Sequence, residues 1–476
     1  MNHSLFLATF LAYLLVTLAF GVWISRHHRG SGEDFLLGGR RMSPLLTIGS
    51  TVGTMVGTGS SMGAVGYAYA NGWAGALYGI GGALGILALA QWFAPARAQR
   101  FATMSQELAH YVDDHPLVAR LVAVLTYVAC VGWLGAQILG GGVYLAWIAG
   151  INLTLAKLLV AFGFGAYCVI GGYVAVAWTD TLQALIVFCG FVLMAIYVLA
   201  RIGGMDALGA GLDPAAASLL GWRRIGALPA LSLVCVIAVG VLASPAFRQR
   251  IYAARSASAV RHSFLLTGGL YLVFSAIPAM VGVAARQLVP GLTDPGFAFP
   301  SLATDVLPLA LGLALLVAGL SATMSSASSD AIAGVAVLTR DLYAMVRGRP
   351  LAQERTVAAS RVGLVATIAL ALLLALLSND IIGYIGTMIA TVMSGLCVCA
   401  LLGRFWRRFT WQGAVACLLG GSLASIAIGL HPAWNAFWGN PCIPGLAVAG
   451  AAGIGASLIG PARRRPAPPQ VHPTPD

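Results

Sequence analysis

The sequence predicts an all-α polytopic membrane protein with about thirteen transmembrane helices. Three observations carry that expectation. Hydrophobic residues fill 59% of the 476 positions and charged residues only 9%, with a mean hydropathy of +0.88; a soluble domain carries about a quarter charged residues. Apolar runs of spanning length recur from end to end, so the bilayer is the natural solvent. Basic residues then fall unevenly between those runs, as membrane topology requires.

Taken in order, the spans are expected near 4–24, 43–70, 74–95, 117–147, 153–175, 180–201, 227–246, 263–287, 306–338, 357–378, 382–402, 410–430 and 444–461. The first has no basic stretch before it and no small-residue cleavage site, which marks a retained span rather than a signal peptide. With the N-terminus outside, this register puts 22 of the 27 Lys and Arg residues on the inner side and 5 on the outer. A missed helix would scramble that division, so the C-terminus is expected inside. Residues 1–462 form the membrane domain, and the Pro- and Arg-rich tail 463–476 is expected to be a disordered cytoplasmic segment with no soluble domain attached.

Composition also excludes function classes. The net charge of +12 is almost all arginine between apolar runs, which is not a nucleic-acid groove. Eight cysteines show no metal-ligand spacing and read as packing thiols. No HExxH or P-loop occurs, so neither an enzyme nor an organic cofactor is expected.

The second span reads Gly49-Ser50-Thr51-Val52-Gly53-Thr54-Met55-Val56-Gly57-Thr58-Gly59-Ser60-Ser61. Glycine weakens a helix, and unwound backbone at membrane depth survives only where it lines protein or a cavity. Freed carbonyls there can coordinate a cation. Read alone, however, the Gly53/Gly57 pair favours close helix packing. In the ninth span, six hydroxyls fall within 321–329. Ser325, Ser328 and Ser329 share one face at i, i+3 and i+4, and Ser326 stands beside it. Each hydroxyl alone reads as bonding back to its own helix; together they read as ligands for a hard cation. Asp180, in the run Trp178-Thr179-Asp180-Thr181-Leu182-Gln183, is expected to start the sixth span near the inner surface, either as a helix N-cap or in a functional role. Asp330 is placed near the cytoplasmic end of its span, within reach of solvent.

These motifs resemble the sodium:solute symporter family over essentially the whole chain before the tail. The strongest elements are Gly39-Arg40, the Gly-Gly-Tyr…Trp-Thr-Asp…Gln run at 171–183, Gln249-Arg250 with Ala253-Ala254, and Ala-x-Met-Ser-Ser at 322–326. The resemblance implies a LeuT-type 5+5 inverted repeat with extra helices, its core repeats near 43–201 and 227–402. It also implies a sodium site from the carbonyls of Gly53, Val56 and Ala322 with the hydroxyls of Ser325 and Ser326. Some members hold a second sodium, and the matching positions here are Ser325, Ser328, Ser329 and Asp180. Proline carriers of the family have an Asp where Met55 stands, and members often have an acidic residue near Ser244-Pro245-Ala246.

The expected function is therefore sodium-coupled symport of a small organic solute by alternating access, in a bacterial inner membrane. Sodium would favour the outward-open state, and inward opening would loosen its Ser325 and Ser326 ligands. Solute contacts are expected from Thr54, Thr58, Ser60 and Ser61, with Gln137 and Trp133 behind them and packing the favoured role for Trp133. Because the one well-placed carboxylate, Asp180, is implied for sodium, a neutral, zwitterionic or anionic solute is favoured over a free cation. With no Arg or Lys expected mid-span, a solute carboxylate would rest on backbone N–H groups around Gly57 to Ser61 and on bound sodium. The rivals are a proton-coupled carrier, with Asp180 titrating, and a solute sensor.

Overall fold

The structure, a computed structural model, describes residues 3–26, 30–210, 212–377 and 388–460. Helices account for nearly all of the ordered backbone: α1 (His3–Ser25), α2 (Pro44–Met55), α3 (Ala64–Asn71), α4 (Ala76–Ala88), α5 (Pro116–Ala149), α6 (Leu153–Ile202), α7 (Ala227–Ala243) and α8 (Pro245–Ala253). They continue as α9 (Ala257–Phe274), α10 (Ala276–Leu288), α11 (Leu309–Val337), α12 (Gln353–Leu376), α13 (Ser394–Phe405), α14 (Trp411–Gly429) and α15 (Cys442–Ile459). No strand occurs among the described residues. Nine described helices are long and apolar enough to cross a membrane, ten if the bent α7–α8 pair is one span. The predicted span 382–402 begins in residues outside the described set, as do the last residue of 357–378, that of 444–461, and the whole tail.

Local chemistry sets the ends. Ser43, Asn152, Ser256 and Thr410 each accept a backbone N–H from the first turn of α2, α6, α9 and α14, satisfying donors that the helix itself leaves free. Gly150 and Gly203 close α5 and α6 in left-handed conformations. The outer faces carry apolar side chains such as Leu15, Phe162 and Val273, each exposed by 65% or more. Lipid, rather than water, suits that surface.

Three breaks shape the centre. Between Met55 and Gly59 the second span unwinds, with Val56 at φ −91° and ψ 64°, before a π-turn at Gly59–Gly63 leads into α3. Both readings of its glycines hold: the chain unwinds, and it also packs tightly. A Cβ on Gly53 would sit 2.7 Å from the Asp180 carbonyl, and one on Gly57 would sit 2.5 Å from Ser326 Oγ. The second break is at Gly172 (φ 61°, ψ −158°) inside α6. The sequence placed a gap between 175 and 180; the chain instead turns at the glycine, whose backbone only Gly adopts readily, and is helical from there to Ile202. The third break, at Ser244 and Pro245, bends α7 against α8 by 42°. Around these breaks α11 packs against α5 and α6, and α2 lies along α6.

Candidate functional site

The seam between the broken second span and α11 is made of oxygen atoms. Ser325 Oγ donates to the Gly53 carbonyl at 2.7 Å, and Ser326 Oγ donates to the Thr54 carbonyl at 3.0 Å. Both hydroxyls also lie 3.2 Å from the Ala322 carbonyl on their own helix. Gly53, Ala322, Ser325 and Ser326 therefore meet in space as the sequence expected. Val56 stands at the break itself, where its ψ swings the carbonyl away from the helical direction. The Thr54 carbonyl joins the seam without having been singled out from the sequence. Helix α2 ends here, so its dipole adds partial negative charge to a neutral oxygen cluster.

One turn along α11, a second cluster surrounds Asp180. Its Oδ1 accepts from Ser328 Oγ at 3.0 Å, and its Oδ2 accepts from Ser329 Oγ at 2.8 Å and Ser50 Oγ at 3.3 Å. Asp180 is fully buried and lies inside α6, roughly 12 Å along the axis from Gly172. The N-cap role is thereby corrected, because helix precedes this residue. Thr179 likewise spends its hydroxyl on the carbonyls of Ala175 and Val176.

Sequence reasoning missed the main partner of this carboxylate. Arg250, read as a loop residue, is 2% exposed, and its Nη2 stands 3.5 Å from Asp180 Oδ2. The same nitrogen donates to the Ser50 carbonyl (2.9 Å), Thr54 Oγ1 (2.5 Å) and Ser329 Oγ (2.7 Å). Helix α8 continues into the protein at 42° to α7 after the Ser244 bend and delivers it there. This corrects the premise that no basic side chain reaches mid-span. Arg248, on the same short helix, is also wholly buried and pairs with Glu107 at 2.7 Å while stacking over the Phe93 ring at 3.6 Å. Asp330 is a third correction: α11 runs on past it to Val337, and the residue is 5% exposed rather than solvated.

A cavity adjoins the seam, bounded by Thr54, Ser326, Gln137, Trp133, Tyr78, Tyr271, Phe247 and Asp330. Of the residues expected to meet solute, Thr54, Trp133 and Gln137 line it. Thr58, Ser60 and Ser61 turn inward to hold the break together. Thr58 donates through both N and Oγ1 to Gln137 Oε1. Ser60 donates to the Met55 carbonyl and Ser61 to that of Gly57, each at 2.8 Å. The indole N–H of Trp133 is buried with no partner among the described residues. Tyr78, Tyr271, Phe247 and Asp330 went unnoticed as wall residues, for each is a lone aromatic or acid on a different helix and shares no sequence pattern with the others.

Helices broken at the level of a buried oxygen cluster, with a cavity beside them, define a membrane carrier of the secondary-transporter class. The comparisons agree. A model of the sodium:solute symporter family matches residues 35–421, and the chain belongs to that family. It is 26% identical to a sodium/pantothenate symporter of Haemophilus influenzae, over 85% of this chain and 87% of that one. It is also 26% identical to a high-affinity proline transporter of Bacillus subtilis, over 83% and 86%. A sodium/glucose cotransporter of Vibrio parahaemolyticus is 24% identical, over 88% and 83%. Among solved structures, a substrate-bound outward-open state of a Na+-coupled sialic acid symporter superposes with a TM-score of 0.82 at 19% identity, covering 97% of this chain and 99% of that one. The protein is thus a secondary transporter, not an enzyme, and works by sodium-coupled symport of a small solute.

Proposed function

We propose that Gly53, Val56, Ala322, Ser325 and Ser326 hold the coupling sodium, and that the adjoining cavity receives the solute through Thr54, Trp133 and Gln137. The observation that carries this is the pair of cross-helix contacts from Ser325 to Gly53 and from Ser326 to Thr54. Neutral oxygens from two helices suit a hard monovalent ion, which needs several such ligands and little compensating charge. Because the ligands come from both the broken span and α11, ion binding ties those elements together. Rocking them apart during alternating access would weaken the ion and release it with the solute.

Asp180, Ser328 and Ser329 are the proposed ligands of a second sodium, with Ser325 beside them. A guanidinium already stands 3.5 Å from that carboxylate, so the second ion would bind against Arg250. The breaks in the second and seventh spans fall at corresponding places in 43–201 and 227–402, which supports the inverted repeat. Removing the buried Arg248, Arg250 and Lys157 from the charge count leaves 20 inner to 4 outer residues, so a cytoplasmic C-terminus and a bacterial inner membrane remain the proposed setting. Uptake of a labelled solute panel into proteoliposomes tests the coupling. It should follow an inward sodium gradient and survive a protonophore; uptake that ignores sodium and collapses with the proton gradient would reject it.

A further inference from the structure

Two carboxylates lie in the buried centre, and they are treated differently. Asp180 has three hydroxyl donors and the Arg250 guanidinium. Asp330, one helical turn beyond Ser326 on the same face of α11, makes no hydrogen bond and has no cation within 4 Å among the described residues, although it is 5% exposed. Arg250 acts on it only from beyond ion-pair distance. Asp330 lines the cavity. With Arg250 paired to Asp180, an ionised Asp330 would be a buried charge without a partner, which is costly unless a cation enters beside it.

We propose that Asp330 anchors the solute and that the solute carries a cationic nitrogen. This deepens the reading of the cavity as the solute site and rests on it. Four rings share the wall with the carboxylate: Trp133, Tyr78, Tyr271 and Phe247. Aromatic faces beside a carboxylate are the surroundings in which ammonium groups are bound in preference to water. An anion would meet repulsion from Asp330, and a neutral polyol would leave its charge unmatched. Trp133 lines the same wall, and its buried indole N–H has no partner among the described residues. The class indicated is therefore an amino acid, amino alcohol or betaine-like solute. Of the solutes favoured from sequence, the zwitterion is the one this wall accepts.

The test uses the full-length protein in lipid nanodiscs, with thermal stabilisation and tryptophan fluorescence as readouts at fixed sodium. The probes are choline, ethanolamine and an ω-amino acid, each against an isostere with carbon or hydroxyl in place of the charged nitrogen, uncharged for the first two and a carboxylate for the third. At least one charged probe should bind while its isostere does not, and Asp330→Asn should weaken that binding by about tenfold or more. The isostere comparison on unmodified protein stands whether or not the variant folds. Sodium titration without solute is run alongside. Its stabilisation should be the same in Asp330→Asn, and its absence from the unmodified protein would count against the sodium site, not against the anchor. Binding confined to uncharged or anionic probes overturns the proposal. So does an Asp330→Asn variant that binds the charged probes normally, or one that needs far more sodium, which would make Asp330 an ion ligand.

Discussion

Removing the Ser325 hydroxyl tests the sodium seam most directly. That hydroxyl bridges the Gly53 carbonyl at 2.7 Å and the Ala322 carbonyl at 3.2 Å. In the ion-bound state it would turn its lone pairs to the cation. Ser325→Ala thus loses a neutral hydrogen bond from the free state, worth about 1 kcal/mol, and a charge-assisted contact from the bound state, worth about 1.5–3 kcal/mol. The difference, about 0.5–2 kcal/mol, raises half-saturating sodium by about two- to thirtyfold. Ser326→Ala, with the same double role at Thr54 and Ala322, should fall in the same range. Thr323→Val is the control, since that hydroxyl bonds only to the Leu320 carbonyl of its own helix. Sodium activation of uptake, normalised to protein in the vesicle, is the assay. Half-saturation unchanged in both serine variants would refute the assignment, and a matching rise in Thr323→Val would show that packing is being measured.

Breaking the buried pairs should be expensive. Arg250→Gln leaves Asp180 uncompensated and should cost about 3–5 kcal/mol of stability, read as early thermal unfolding in detergent. Adding Asp180→Asn should recover part of the loss, and no recovery would show that the two residues act separately. Gly53→Ala should abolish transport because its Cβ would meet the Asp180 backbone at 2.7 Å, whereas Gly450→Ala, with nothing within 4 Å, should be silent. Glu33 lies outside the spans, and its hydrogen bond from Arg40 holds its carboxyl below the ordinary value of 4.5. A depressed folded pKa stabilises above the unfolded value and fades as pH falls through the folded one. Glu33→Gln should therefore cost under about 1 kcal/mol at neutral pH, with the gap in melting temperature closing below pH 4.5; a gap that widens there would reverse the sign.

The division between what the sequence revealed and what it concealed follows from the range of each interaction. Spanning length, the glycine-rich break after Met55 and the shared face of Ser325, Ser328 and Ser329 are local properties, and each was legible. The break at Gly172 was legible in kind but misplaced, because apolar residues continue on both sides and only the positive φ marks the turn. Arg250 was not legible. Between Arg248 and Arg255 it looks like one of a run of loop cations, and its burial depends on α8 packing against Ser50, Thr54 and Asp180, which are 70 to 200 positions away in the chain. Asp330 misled for the converse reason: hydropathy falls toward Arg340, which suggests water, yet the helix continues to Val337 and the residue is buried. Depth in a membrane protein is set by what packs around a residue, not by where hydropathy crosses zero. A charge next to an apolar run therefore reads as a boundary even when the fold has drawn it into the centre. In this chain those are the charges on which coupling and recognition are proposed to depend, since a buried ion retains its field where a solvated one is screened.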